Sequence, residues 1–120
     1  MKALRLFIII TAMLWALPAL AQFPLALMQK QAEQGDALSQ YMLGVAYAIG
    51  EGVPKDDVKA AYWVGKAAEQ KVAEAQLLLG TYYFKGQGVP KDNAKAVQWF
   101  LKAAEQGNID AQNILDELAK

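Results

Sequence analysis

The residue types that carry most enzyme chemistry are missing from this chain, which has no histidine and no cysteine among its 120 residues. Without them the usual zinc-ligand sets, the Ser-His-Asp triad and thiol nucleophiles cannot be assembled, and most hydrolase mechanisms go with them. Beyond the first 21 residues the chain holds one serine, Ser39, and one threonine, Thr81. Neither has a histidine to activate it, so both read as small helix residues. Two glycine-containing segments, 50–57 and 86–93, precede apparent helices, a place where backbone N–H groups can hold phosphate. Their spacing is neither Gly-x-x-x-x-Gly-Lys-Ser/Thr nor the alternating acids of a calcium loop, so they read as turns with helix caps. Lys30, Lys66 and Lys102 each precede a glutamate, Glu33, Glu69 and Glu105, by three residues. Such pairs decorate exposed helix faces more readily than they make acid/base sites. Tyr47, Tyr83, Trp63 and Trp99 have faces on which a ligand could stack, yet their recurrence at matching places marks them as core. The chemistry expected is recognition at a surface, with no metal and no cofactor.

Charge and the N-terminus narrow the setting. Residues 1–21 read as a secretory signal: Lys2 and Arg5 are basic, Leu6 to Leu17 form an apolar run, and Ala19-Leu20-Ala21 makes a small-x-small cleavage site before Gln22. A run of that length is short of the roughly 20 residues that cross a bilayer as a helix, so no stable membrane span is expected after cleavage. Export implies the periplasm or the medium. With the leader gone the 12 basic residues fall to 10 against 12 acids, and no arginine remains. Arginine is the side chain best suited to bidentate phosphate recognition, so nucleic acid is not an expected partner. No disulfide can form without cysteine. Stability must come from packing.

The elements that would position any site are set by an internal repeat. Sliding the chain by 36 positions lays Gly35 to Gln70 on Lys71 to Gln106 with 19 of 36 positions identical. The matches include Ala37/Ala73, Gln40/Gln76, Leu43/Leu79, Gly44/Gly80, Tyr47/Tyr83, Val53 to Asp56 on Val89 to Asp92, Trp63/Trp99 and Lys66 to Gln70 on Lys102 to Gln106. Each unit reads as two helices. The spacing of Ala37, Gln40, Leu43, Gly44 and Tyr47 stacks them on one helical face. Gly44 and Gly80 sit mid-helix, where glycine costs about 1 kcal/mol relative to alanine, so close approach of a neighbouring helix is the expected compensation. Pro54 and Pro90 force extended chain before Asp56 and Asp92, which are placed to cap the next helix. Gly35 and Gly107 suit a left-handed helix end, and Lys71 departs from them at the junction between units. Helices are expected at Pro24–Gln34, Asp36–Ile49, Asp57–Gln70, Val72–Lys85, Asn93–Gln106 and Asn108–Ala119.

The pattern A-x-x-Q-x-x-L-G-x-x-Y-x-x-G-x-G-V-P-K-D-x-x-K-A-x-x-W-x-x-K-A-A-E-Q, present twice, resembles the Sel-1-like repeat, a relative of the tetratricopeptide repeat. The resemblance implies an all-α fold, a short right-handed solenoid of antiparallel helix pairs. The division expected is a leader at 1–21, a half-repeat helix at 22–34, repeats at 35–70 and 71–106, and a polar capping helix at 107–120. It also implies that the first helix of each unit lines an inner groove. Transferred through the matched Leu-Gly-x-x-Tyr, the groove row is Leu38, Tyr41, Val45, Ala48 and Ile49, then Glu74, Leu77, Thr81, Phe84 and Lys85, then Asp110, Asn113 and Glu117. These residues differ between units that otherwise repeat, as expected of a site for a protein or peptide partner. The expected function is an exported, non-catalytic interaction scaffold of the cell envelope. Alternatives are an inhibitor or immunity protein with one effector partner, and an enzyme acting on cell wall or β-lactam. The last is suggested by cysteine-rich relatives with a disulfide in each repeat, which this chain lacks.

Overall fold

The computed structural model describes residues 24–120. The leader expected at residues 1–21 lies outside the described residues. Six helices follow one another: α1 over 24–33, α2 Ala37–Ile49, α3 Asp57–Glu69, α4 Ala73–Lys85, α5 Asn93–Glu105 and α6 Ile109–Leu118. Each end falls within a residue of the expected one, because the caps that end the helices are written in the sequence. The carboxylates of Asp56 and Asp92 each accept the backbone N–H of the third residue on, Lys59 and Lys95, at 3.0 Å. Asp36 and Asn108 do the same for Ser39 and Ala111 at 2.9 Å. Gly50 and Gly86 close α2 and α4 in the left-handed conformation.

Between units the chain turns three times in one way. Gly35 N–H donates to Ala32 and Asp36 N–H to Gln31, Lys71 to Ala68 and Val72 to Ala67, Gly107 to Ala104 and Asn108 to Ala103. Gly35 and Gly107 hold φ of 99° and 92°, and Lys71 is forced to 69°, the one left-handed non-glycine residue described. The departure foreseen at Lys71 is thus real, and it is doubled: Val72 stands where Asp36 and Asn108 cap, and makes no side-chain cap.

Packing follows from small residues at the crossings. Five of the eight residues in the buried cluster are alanines, Ala60, Ala61, Ala67, Ala68 and Ala75, joined by Val64, Leu79 and Tyr82. Gly44 and Gly80 mark the closest approaches, of α2 to α3 and of α4 to α5. Trp63 and Trp99, expected in the core, stand at its edge, Trp99 packed against the buried cluster. Both are half-buried, whereas Leu43 and Val64 are fully enclosed and Phe100 and Tyr82 nearly so.

Glutamines tie the units together. Gln40 donates its amide to the Ala32 carbonyl at 3.1 Å, Gln76 to Ala68 at 3.2 Å and Gln112 to Ala104 at 3.2 Å. The amide oxygens of Gln40 and Gln76 accept in turn from Gln70 and Gln106, both at 2.8 Å. Gln40 and Gln76 are buried, where an amide without partners would be costly.

Candidate interaction surface

The first helix of each unit presents the expected row, and the structure divides it. On α2, Leu38, Met42, Val45 and Ile49 share one face, spaced by four, three and four residues. Leu38 and Ile49 are each 61% exposed and Met42 is 51% exposed, an apolar surface that water would ordinarily disfavour. Met42 is absent from the sequence-based row, which had Tyr41 in its place. Tyr41 packs partly against the buried cluster and also lines the hollow beside this face. Counting by helical spacing from Leu38 reaches Met42 directly.

A hollow of about 650 Å³ opens beside this face, between α1 and α2. Leu25, Leu27 and Met28 line it from α1, and Met42, Val45 and Ile49 from α2. The second unit carries a smaller hollow of about 370 Å³, where Thr81, Phe84 and Lys85 face Asn113, Ile114 and Glu117 of α6. The two hollows thus take different parts of the expected row. Leu77 is half-buried. The Thr81 hydroxyl donates to the Leu77 carbonyl at 3.0 Å, within its own helix. Glu74 and Asp110 stand exposed near the starts of α4 and α6.

The outer face holds a third hollow of about 460 Å³, with Tyr62, Lys66, Tyr83 and Trp99 on its walls. Of the lysines and glutamates expected on a solvated helix face, Lys30, Glu33, Glu69, Lys102 and Glu105 are exposed and Lys66 is half-buried. The Lys66 ammonium sits 5.2 Å from the Tyr62 ring centre and that of Lys102 4.3 Å from Trp99. Lys59 and Lys95 likewise lie 5.4 Å from the rings of Tyr47 and Tyr83. An ammonium over an aromatic face gains from the ring quadrupole while its stem covers apolar surface. The one ion pair among the described residues is Lys120 with Glu117.

Two titratable groups depart from their ordinary values. The Asp36 carboxyl is lowered by hydrogen bonds from the Ser39 hydroxyl and amide. The Tyr82 phenol is raised by burial, with Asp57 and Tyr41 adding to the shift, and its hydroxyl has no partner within the protein. Neither faces the hollow between α1 and α2. Ser39 is buried, and its hydroxyl serves the α2 cap. No three acidic residues gather to hold a metal ion, and no helix is long and apolar enough to cross a membrane, among the described residues.

The comparisons with known proteins agree on the repeat. The Sel1 repeat model matches residues 37–72 and 73–108. A Sel1 repeat protein from Oxalobacter formigenes is 42% identical with a TM-score of 0.74, over 75% of this chain and 68% of that one. A protective antigen of uropathogenic Escherichia coli displaying an SLR fold is 45% identical with a TM-score of 0.69, over 71% of this chain and only 18% of the antigen. Cysteine rich protein B of Helicobacter pylori is 34% identical with a TM-score of 0.69, over 72% of this chain and 65% of that one. Among curated proteins, none matches.

Proposed function

Because this chain belongs to the Sel1 repeat family, whose members are protein-interaction scaffolds, we propose that it is a non-catalytic adaptor, exported to the cell envelope or beyond. Its partner is a protein or peptide held against the apolar face of α2 and the hollow next to it. The observation that carries this reading is the exposure of Leu38, Met42 and Ile49 on one face. Three large apolar side chains in a row leave half or more of their surface to water there, and burial against a partner is what would stabilise it. Export is read from Lys2, Arg5, the apolar run and Ala19-Leu20-Ala21. It predicts an exported product whose N-terminal residue is Gln22.

The test is capture from envelope extract with chain 22–120, followed by reconstitution with each protein recovered. A true partner binds the purified wild type and loses about tenfold or more in affinity with Leu38→Ala plus Ile49→Ala, since apolar anchors dominate interface energetics. A Lys102→Ala control leaves it unchanged. If the control weakens binding and the α2 variants do not, the partner uses the outer face.

A further inference from the structure

The hollow between α1 and α2 is bordered by residues whose counterparts in the complete units are packed. In each complete unit the second helix packs its mid-point against a glycine of the first: Val64 lies against Gly44, and Phe100 against Gly80. Counting back 36 residues from Val64 gives Met28 on α1. Val64 and Phe100 are buried, whereas Met28 is left half-buried on the wall of the hollow. Among the described residues, α1 is a second helix without its first.

The α2 side of the hollow tells the same story. Met42 and Leu78 are equivalent by the 36-residue register, and so are Ala46 and Tyr82. In the second unit Leu78 and Tyr82 belong to the packed interior along with Tyr41 of α2, which stacks upon α4. In the first unit Met42 stays 51% exposed. The place that α2 fills beside α4 is thus open one step earlier. Gln34 adds a polar mark. It is the counterpart of Gln70 and Gln106, which donate to glutamines on their own first helix. No glutamine precedes it in the sequence at the matching place, where Leu4 stands.

We propose that this hollow binds an amphipathic α-helix of a partner protein, seated as the first helix of a repeat. The helix carries a glycine or alanine to cross Met28, an apolar residue just before it, and a glutamine one turn earlier to accept from Gln34. This rests on the reading that the protein is an interaction scaffold, and it names what the hollow takes. A second copy of the chain is a poor occupant. Its free first helix is α6, where Asp116 stands at the place of Gly44 and Gly80 and Asn113 at that of Tyr41 and Leu77. Docking α6 would press a carboxylate without a partner against Met28, which desolvation opposes.

The protein itself supplies a probe: a labelled peptide of residues 73–85, the α4 sequence with its Gln76, Leu79 and Gly80. Fluorescence anisotropy with chain 22–120, which contains every described helix, is expected to saturate. Met28→Lys and, separately, Ile49→Lys on the exposed rim should each weaken binding about tenfold or more, because a lysine ammonium would be buried beside the helix. Circular dichroism checks that both variants keep their helicity. A peptide with Gly80→Asp should not bind. Absence of saturation, or equal affinity for wild type and both lysine variants, overturns the assignment while leaving partner capture through Leu38 and Ile49 standing. Sedimentation showing head-to-tail dimers that Asp116→Lys abolishes also overturns it, because α6 would then be the occupant.

Discussion

A β-carbon built on Gly44 would stand 2.6 Å from Cγ2 of Val64 and 2.9 Å from its backbone nitrogen. The two helices of the first unit are therefore as close as their backbones permit, and the alanine-rich interior depends on that distance. Gly80 repeats the arrangement, with a hypothetical β-carbon 2.7 Å from two carbons of the Phe100 ring. Gly65, on α3, has nothing within 4 Å of the same position.

Opposite signs are expected for the same substitution at these sites. Gly44→Ala should destabilise by about 1–3 kcal/mol, because the neighbour it strikes includes backbone and overpacking outweighs the gain in helix propensity. Gly65→Ala should stabilise by about 0.5–1 kcal/mol through propensity alone. Chemical denaturation of both variants checks the pair. A stabilised Gly44→Ala would mean that the crossing is looser than the distances require.

Lys71 at φ 69° holds a conformation that glycine adopts at Gly35 and Gly107. A side chain there costs roughly 1–2 kcal/mol, part of which glycine returns through its freer unfolded chain. Lys71→Gly should raise stability by about 0.5–1 kcal/mol, seen as a rise of a few degrees in melting temperature. The adjacent Val72 is a different matter. It packs against the buried cluster, so installing a capping carboxylate there would sacrifice apolar contact.

The helices were legible because their signals are local: Asp56 and Asp92 after proline, and glycines at the turns. The close crossings at Gly44 and Gly80 were legible as well, since a mid-helix glycine in both units needed a reason. The glutamine rungs were visible only as repeated letters. Gln40 and Gln70 are 30 residues apart, and no spacing rule joins them until the helices are stacked. The tryptophans were read as core because they recur at matching places, yet both are only half-buried, since recurrence does not set depth. At the surface, Leu38 and Ile49 are exposed, and Met42 was missed because the matched motif sets the register but not the degree to which each side chain faces outward.

Acid should weaken the start of α2 through Asp36. Asp36 accepts from both the amide and the hydroxyl of Ser39, and these bonds hold its carboxyl below the ordinary carboxylate value. A lowered folded value contributes stability that is present above the unfolded pKa and is lost as pH falls through the folded one. The expected effect is a melting temperature that declines below about pH 4, with the Asp36 contribution to the decline absent in Asp36→Asn, which still caps. Equal acid slopes for the two proteins would show that the Ser39 contacts do not persist in solution.

Tyr82 buries its hydroxyl without a partner in the protein. Tyr82→Phe removes that group and keeps the ring, so it should be neutral or stabilise by up to about 1–3 kcal/mol, the desolvation penalty of an unsatisfied hydroxyl. The raised phenol pKa gives a second readout. Stability that depends on the neutral phenol is complete below the unfolded value near 10 and declines as pH rises further, and the phenylalanine variant should lack this alkaline component. A loss of stability on substitution would indicate that ordered water satisfies the hydroxyl.

The glutamine rungs make a graded prediction because their members differ in burial and in number of bonds. Gln76 is buried and serves two neighbours, donating to the Ala68 carbonyl and accepting from Gln106. Gln76→Met keeps the volume and strands the carbonyl at the junction of the units, at a cost of about 1–3 kcal/mol. Gln106 is exposed, so Gln106→Ala returns its partner's oxygen partly to water and should cost about 0.5–1.5 kcal/mol. Gln70 makes the equivalent bond and also donates to the Gly35 carbonyl at 2.9 Å, so Gln70→Ala should cost more than Gln106→Ala. In a double-mutant cycle Gln76 and Gln106 should be coupled, whereas Gln76 and Gln70, which share no bond, should be nearly additive. Additivity in the Gln76–Gln106 cycle as well would mean that this bond adds nothing to the second repeat beyond satisfying two amides where they lie.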